Sequence, residues 1–278
     1  MKNIDKLNLN NLRSKILVVI SGQMRSYKFA NFYTLNILKK YDPTFIVTTW
    51  KNQPEHQDDD SRIKKFTNID ISLHDIEKIY KPIIIDIEEN NLEITNKLLG
   101  EKNKFDMVFP YRLISTRFQF YKFNRIYYLL SKLKEDKGIS FDKILFIRPD
   151  IALTSNINLQ MVKNNMIYFE DTLGDWQKQR SDRMFYGEYN YVMSFLGNIC
   201  SFAKKYWDVN YAKDINQLPF QENLIKLYVD TEQINTYPFC PSFTIMREYK
   251  KLNFIDNLNM QFNRYKRLIK RHVIKNKS

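Results

Sequence analysis

Residues 143–153 read KILFIRPDIAL. Ile144, Leu145, Phe146 and Ile147 are all apolar, the pattern of a strand buried on both faces. Such strands lie inside a parallel sheet covered by helices. The run then stops on Arg148, Pro149 and Asp150 before turning apolar again. Proline has no N–H for a ladder and fixes its own φ, so Pro149 ends the strand. In open parallel sheets, ligands bind in the crevice beyond the carboxyl ends of the strands. A guanidinium and a carboxylate at that edge therefore make a candidate site. Arginine grips phosphate through paired hydrogen bonds, and aspartate suits a sugar hydroxyl or a hard divalent cation. The same residues also suit an ion pair that closes a turn, and the sequence leaves both readings open.

Working outward, Lys15–Ile20 (KILVVI) is a second apolar, β-branched run, followed by SGQMRS. FANFYTLNILKKY (29–41) has helical spacing through Phe29, Phe32, Leu35 and Leu38. TFIVTTW (44–50) and IIIDI (83–87) read as strands, with a short helix, HDIEKIYKP, between them. The polar link 88–110 is expected to hold a helix over NNLEITNKLLG. A long helix is predicted from a cap at Ser115 or Thr116 to about Asp136, with Gly138 as its stop. Past residue 150, NMIYFE (165–170) reads as a strand and DTLGDWQKQRSDRMFYG as a polar loop. EYNYVMSFLGNICSFAKKYW and FQENLIKLYVD read as helices, and INTYPFCPSFTIMR ends in a strand. This alternation predicts an α/β fold, with a largely parallel central sheet flanked by helices. One two-part domain is expected over residues 15–255, divided into 15–150 and 151–255. An N-terminal extension (1–14) precedes it and a basic tail (256–278) follows.

The 278 residues are 44% hydrophobic and 27% charged, an ordinary soluble composition with length for a sizeable core. No apolar run approaches the roughly 20 residues needed to span a bilayer. The opening MKNIDKLNLNNLRSK lacks an apolar h-region, so no secretory signal is expected. Cys200 and Cys240 match no metal spacing and read as thiols in a reducing compartment. His56, His74 and His272 are scattered, which speaks against zinc. A net charge of +13 invites nucleic acid or an anionic membrane. The cations are concentrated, however. No acidic residue follows Asp256, while Arg264, Lys266, Arg267, Lys270, Arg271, Lys275 and Lys277 do. Phe262, Tyr265, Leu268, Ile269 and Val273 are interleaved with them, which suits an anionic bilayer surface or a solvated terminal helix. Asp58, Asp59 and Asp60 fall in a polar stretch and read as a solvated loop.

Two further stretches carry candidate ligand contacts. Ser21, Gly22, Gln23 and Arg25 follow the strand KILVVI directly. Gly22 would let the backbone approach a ligand, and amides at a helix start favour anions. The stretch is neither G-x-G-x-x-G nor a P-loop, and a plain turn explains it equally. In TRFQFYKFNRIYYLLSKL (116–133), Phe118, Tyr121, Ile126, Leu129, Leu130 and Leu133 can form a buried stripe. Gln119 and Lys122 share that arc near the helix start, while Asn124 points elsewhere. Polar groups there suit a helix end that opens on a ligand crevice, or one that overhangs the core.

Together, ISGQMRSY (20–27), DPTFIVTTW (42–50), FYKFNRIYYLL (120–130), FDKILFIRPDIAL (141–153), SDRMFYGEYNYVMSF (181–195) and PSFTIMR (241–247) form an ordered set. The set resembles small glycosyltransferases encoded in bacterial capsule and lipopolysaccharide clusters and in large DNA viruses. The resemblance covers most of residues 15–247 and implies a GT-A-like fold. Residues 15–150 would then be the nucleotide-sugar half and 151–255 the acceptor half. Metal-dependent members carry Asp-x-Asp where this chain has Arg148-Pro149-Asp150. Only Asp150 remains as a ligand for Mn2+ or Mg2+, and Arg148 could supply charge in the metal's place.

Glycosyl transfer passes through an oxocarbenium-like transition state. The leaving diphosphate needs fixed positive groups, and the acceptor hydroxyl needs a base. Arg25, Lys122 and Arg148 are candidates for the first task. Asp182 and Glu222 are candidates for the second, with Asp182 preferred. A turn or cap role also explains Asp182, and the dipole of a first helical turn also explains Glu222. The implied partners are a nucleotide-sugar donor and a glycan or lipid-linked glycan acceptor in surface polysaccharide synthesis. The implied location is the cytoplasm, peripheral on the inner face of the membrane through the tail. Two competing readings are an inactive glycan-binding relative and a single-stranded nucleic-acid binder. No RNP signature is present, so a nucleic-acid partner is not expected.

Overall fold

The structure, a computed structural model, describes residues 6–24, 26–56, 63–68, 71–89, 111–171, 179–210, 221–241 and 243–245. In chain order, β1 is Lys6–Leu7, β2 Ile16–Gly22, α1 Tyr27–Leu38, β3 Thr44–Trp50, β4 Asn52–His56 and β5 Ile63–Asn68. Then come α2 Leu73–Tyr80, β6 Ile84–Glu88, α3 Tyr111–Lys137, β7 Lys143–Ile147, β8 Ile151–Leu153 and β9 Ile167–Glu170. The last are β10 Met184–Glu188, α4 Tyr189–Asn210, α5 Gln221–Thr231, β11 Thr236–Phe239 and β12 Phe243–Ile245.

Among the described residues the main sheet has eight strands in the order β1-β6-β3-β2-β7-β10-β9-β11. Four adjacent strands, β6, β3, β2 and β7, run parallel. β10 runs antiparallel between β7 and β9, and β11 returns parallel to β9. The expected α/β architecture with a largely parallel centre is what the chain forms. All seven residues of TFIVTTW in β3 are buried, which is why the run shows no apolar–polar alternation; the Thr44 and Thr49 hydroxyls donate to the Ser14 and Gly22 carbonyls.

Neighbouring residues still divide between two cores, one on each face of the sheet. Leu17, Val19, Ile46 and Phe146 pack with α3, α4 and α5. Val18, Ile20, Val47 and Ile147 pack on the other face with α1, α2 and β8. Across the β7–β10 pair, Phe146 faces Phe185 with ring centroids 4.7 Å apart and planes within 7°. Such stacking adds about 0.5–1.5 kcal/mol beyond area burial. Phe185, Tyr186 and Tyr189 are thus core residues.

Two local expectations change. α3 begins at Tyr111, so Ser115 and Thr116 lie inside it and do not cap it. Its stop is as expected: Gly138 takes φ +66° and donates to Lys134 O at 2.9 Å. The segment before residue 15 is not merely an appendage, because β1 pairs antiparallel with β6 at the sheet edge. Neither cysteine is in a disulfide: Cys200 is buried, and the half-buried Cys240 donates its Sγ–H to Asp171 O at 3.3 Å. No described helix is long and apolar enough to cross a membrane. Asp58–Asp60, the helix expected over 90–100 and the tail 256–278 lie outside the described residues.

Candidate functional site

The strand order reverses between β2 and β7. From β2 the chain moves outward through β3 to β6, then crosses back to β7 on the other side of β2. Such a switch point leaves a crevice at the carboxyl ends of the two strands. Gly22 ends β2 there with φ +133°, a region closed to most L-residues. A side chain on it would meet Pro149 Cδ at 3.3 Å and Arg148 Cγ at 3.8 Å. The glycine is therefore needed for the close seating of Pro149, a structural reason rather than the ligand approach that the sequence suggested.

Past β7 the chain turns sharply, with Ile151 N donating to Arg148 O at 3.1 Å. Within that turn Arg148 forks onto Asp150: Nε to Oδ1 at 3.0 Å and Nη2 to Oδ2 at 2.7 Å. Asp150 is buried, and the Arg148 side chain is 28% exposed. Arg148 N also donates to Arg183 O at 3.0 Å, tying the turn to the stretch that enters β10.

Because β10 runs against β7 and β9 runs against β10, residues 181–183 and Glu170 reach the same edge of the sheet. The start of α5 joins them, with Arg180 N donating to Glu222 O at 3.0 Å. Together these segments enclose a cavity of about 250 Å³, with Arg148, Glu170, Asp182, Arg183, Gln221 and Glu222 in its wall. Glu170 is held by Ser181 Oγ at 2.6 Å and by Arg183 Nη2 at 2.8 Å. Arg183 also lies over the Phe243 ring, 5.5 Å from its centroid. Asp182 is 2% exposed; its Oδ2 accepts from Gln221 Nε2 at 2.6 Å, and its Oδ1 is buried without a hydrogen-bond partner.

Burial pushes the Asp182 carboxyl above its ordinary pKa, against the opposing pull of Arg148 and Arg183. Glu222 is raised to about 7, first by burial and next by the charge of Asp182. The charge of Asp182 disfavours ionisation of Glu222, while Arg183 and Arg148, paired though they are with Glu170 and Asp150, favour it. That arrangement is suited to moving a proton near neutral pH. The sequence brought forward Asp182, Glu222, Arg148 and Asp150, and all four meet at this edge. It missed Glu170, Arg183 and Gln221. Glu170 carries the signal that exposed Asp150, a carboxylate at the end of an apolar strand.

The remaining candidates lie elsewhere. Ser21 is buried with its Oγ 3.4 Å from Thr48 Oγ1. Gln23, Gln119 and Asn124 are half-buried and do not line the cavity, and Arg25 lies outside the described residues. Lys122 is fully enclosed beside the ends of β3 and β6. It donates to Thr49 O and Glu88 Oε2, both at 3.0 Å, and sits 4.1 Å from the Trp50 ring centroid. Burial pushes its pKa down, opposed by Glu88 and Asp86. Tyr121 OH donates to Glu88 Oε1 at 2.8 Å, and Arg125 forks onto Asp86. Lys122 thus neutralises a buried carboxylate instead of facing the crevice.

A divalent cation is a poor fit at Asp150. Both of its oxygens accept from Arg148, and a cation there would stand against the guanidinium. Among the described residues, no group of three or more His, Cys, Asp or Glu is placed to hold a metal.

No protein-family model and no curated protein matches the chain. Solved structures do. One similar structure is described as a nucleotide-diphospho-sugar transferase from Desulfovibrio desulfuricans G20 (6% identity, 82% of this chain, 80% of that one, TM-score 0.41). Another is core-mannan synthase A from Aspergillus fumigatus in its Mn/GDP form (8% identity, 84% and 74% covered, TM-score 0.44). A third is a glycosyltransferase involved in glycosylation of the major capsid of PBCV-1 (11% identity, 81% and 82% covered, TM-score 0.39).

Proposed function

We propose that the protein is a glycosyltransferase that uses a nucleotide-sugar donor. The observation that carries this reading is the cavity where the end of β7, the end of β9 and the start of β10 meet the start of α5, with Asp182 and Glu222 beside Arg148 and Arg183 in its wall. The donor diphosphate lies at the ends of β2 and β7, near the N-terminus of α1 and the Arg148 guanidinium. Its sugar points into the cavity. Glu222, less buried than Asp182 and poised near neutrality, accepts the proton of the acceptor hydroxyl. The hydroxyl oxygen bonds to the anomeric carbon as the bond to the diphosphate breaks, and the nucleoside diphosphate leaves. Attack from the face opposite the leaving group inverts the anomeric centre. Asp150 keeps Arg148 in register, and no metal at Asp150 is required.

On this reading 15–150 is the donor half and 151–255 the acceptor half of a GT-A-like domain. The acceptor is a glycan or a lipid-linked glycan of surface polysaccharide synthesis, met at the cytoplasmic face of the membrane. The cations and apolar residues interleaved over 262–278 support that location. Salt-sensitive binding to anionic vesicles that is lost on deletion of 262–278 would bear it out.

The test of the activity is a thermal-shift panel of nucleoside diphosphates and their sugars, each with and without manganese. A ligand at about a hundred times its Kd adds about 2.7 kcal/mol of stability. One nucleoside diphosphate and its sugars should raise Tm equally in both arms, and Glu222→Gln should abolish turnover while keeping the shift. No shift with any nucleotide would end the reading. A shift without turnover toward any acceptor would favour a binding protein.

A further inference from the structure

We infer that the two arginines of the cavity divide the work: Arg148 serves the donor diphosphate, while Arg183, clamped from behind by Glu170 and Ser181, acts through its charge on the base Glu222. The inference rests on the proposed activity and assigns Arg183, Glu170 and Ser181 to it as positioning residues. Arg183 is held through both its main chain and its side chain. Its N–H donates to Ser181 Oγ at 3.1 Å, and its carbonyl accepts from Arg148 N at 3.0 Å. Its Nε donates to the same Ser181 Oγ at 3.4 Å, and its Nη2 lies 2.8 Å from Glu170 Oε2. The guanidinium stands 5.5 Å from the centroid of the Phe243 ring. Ser181 Oγ in turn donates to Glu170 Oε2 at 2.6 Å. One hydroxyl thus joins a buried carboxylate to both parts of Arg183. The Glu170 side chain is fully enclosed, and of this pair the arginine is the member left partly open. Arg148 is tied instead into the turn after β7 by Asp150, beside Gly22 at the end of β2.

The charge so held stands in one wall with Asp182 and Glu222. Glu222, on α5, is met by Arg148 from the end of β7, by Glu170 and Asp171 from the end of β9, and by Arg180, Asp182 and Arg183 from the stretch entering β10. Asp171 and Arg180 act on one another. Burial and then Asp182 hold the proton on Glu222; of the cations that draw it off, Arg183 weighs more than Arg148. For Asp182, itself pushed up by burial, that order is reversed. A base must lose its proton before it can take one from an acceptor hydroxyl, so a cation that favours the carboxylate favours the working form. A guanidinium that cannot swing away does this without reorganisation during the reaction, and the clamp supplies that restraint.

The test follows the Glu222 carboxyl by carbon NMR of the full chain, isotope-labelled at the glutamate carboxyl carbons and assigned with Glu222→Gln. Arg183→Gln should raise its titration midpoint by about half a pH unit or more. Ser181→Ala changes no charge, so a shift there reports position alone. It should raise the midpoint by a smaller amount in the wild type and by nothing in the Arg183→Gln background. Where Arg183→Gln fails to fold, Glu170→Gln with Arg183→Gln removes both charges of the buried pair together and should show the same rise. A midpoint that stays put without Arg183 would overturn its action on Glu222, and one that stays put in Ser181→Ala would overturn the clamp. Calorimetric titration with UDP, GDP, ADP, CDP and dTDP tests the division itself. The nucleoside diphosphate that binds the wild type should bind Arg183→Gln with a Kd within about threefold, against the roughly tenfold loss expected of Arg148→Lys. An equal loss at Arg183 would overturn the division. If no nucleoside diphosphate binds the wild type, the proposed activity fails and the division falls with it; the carboxyl titration, which needs no nucleotide, tells that case apart from a failure of the clamp.

Discussion

Gly22 and Pro149 lock the ends of the two strands that form the switch point: a Cβ on Gly22 would stand 3.3 Å from Pro149 Cδ, at a φ of +133°. Strain of that backbone and the tight contact add. Gly22→Ala is expected to cost about 1–3 kcal/mol, read as a lowered urea midpoint at unchanged slope. Gly138 offers the contrast, with φ +66° but nothing within 4 Å of a new Cβ. Gly138→Ala should cost less, about 1 kcal/mol.

Lys122 is enclosed with Glu88, Asp86 and Arg125. Removing one member of a buried ion pair leaves the other uncompensated. Lys122→Met should therefore destabilise by about 3–5 kcal/mol in equilibrium unfolding. The double variant Lys122→Met with Glu88→Gln should recover much of that loss. Full additivity of the two would mean that the residues do not act as a pair.

The raised Glu222 carboxyl links stability to pH. Its value moves from an ordinary 4.5 to about 7 on folding, so the folded chain keeps a proton that the unfolded chain releases. This contribution is complete below 4.5, declines as pH rises and is gone above about 7. Unfolding free energy across that window should fall with pH in the wild type and flatten in Glu222→Gln. Asp182→Asn removes a neighbouring negative charge, so the upper end of the window should move down.

Arg148 and Asp150 make a planar fork that an ammonium cannot copy. Arg148→Lys keeps the charge, yet should weaken nucleoside diphosphate binding by roughly tenfold, about 1.4 kcal/mol, by calorimetry. A chelator should leave wild-type binding unchanged.

The strands were legible because β2, β3 and β7 are buried on both faces and so carry apolar runs without alternation, broken in β3 only by threonines. The start of α3 was less so. Ser115 and Thr116 look like caps, but Pro110, a residue suited to a first helical turn, stands just before Tyr111 and was the better signal. For the site, strand-end logic found Arg148 and Asp150. It could not show that β10 turns back against β7, which carries Asp182 and Arg183 to the same edge. Lys122 was rightly placed on the inner arc of its helix. Its partners were Asp86 and Glu88, inside and just past a strand that had been read only for its isoleucines.

The position of β2 has a consequence for synthesis. Its neighbours are β3, which follows soon after, and β7, more than a hundred residues later. A chain still emerging from the ribosome presents the central strand with one edge bare until β7 arrives. An apolar strand with an open ladder invites pairing with any other chain at hand. Fragments that stop before residue 143 should therefore aggregate, while those that include β7 and its β10 cover should stay dispersed. Slow completion of this long-range pairing, more than loss of any single side chain, would then govern the yield of soluble protein.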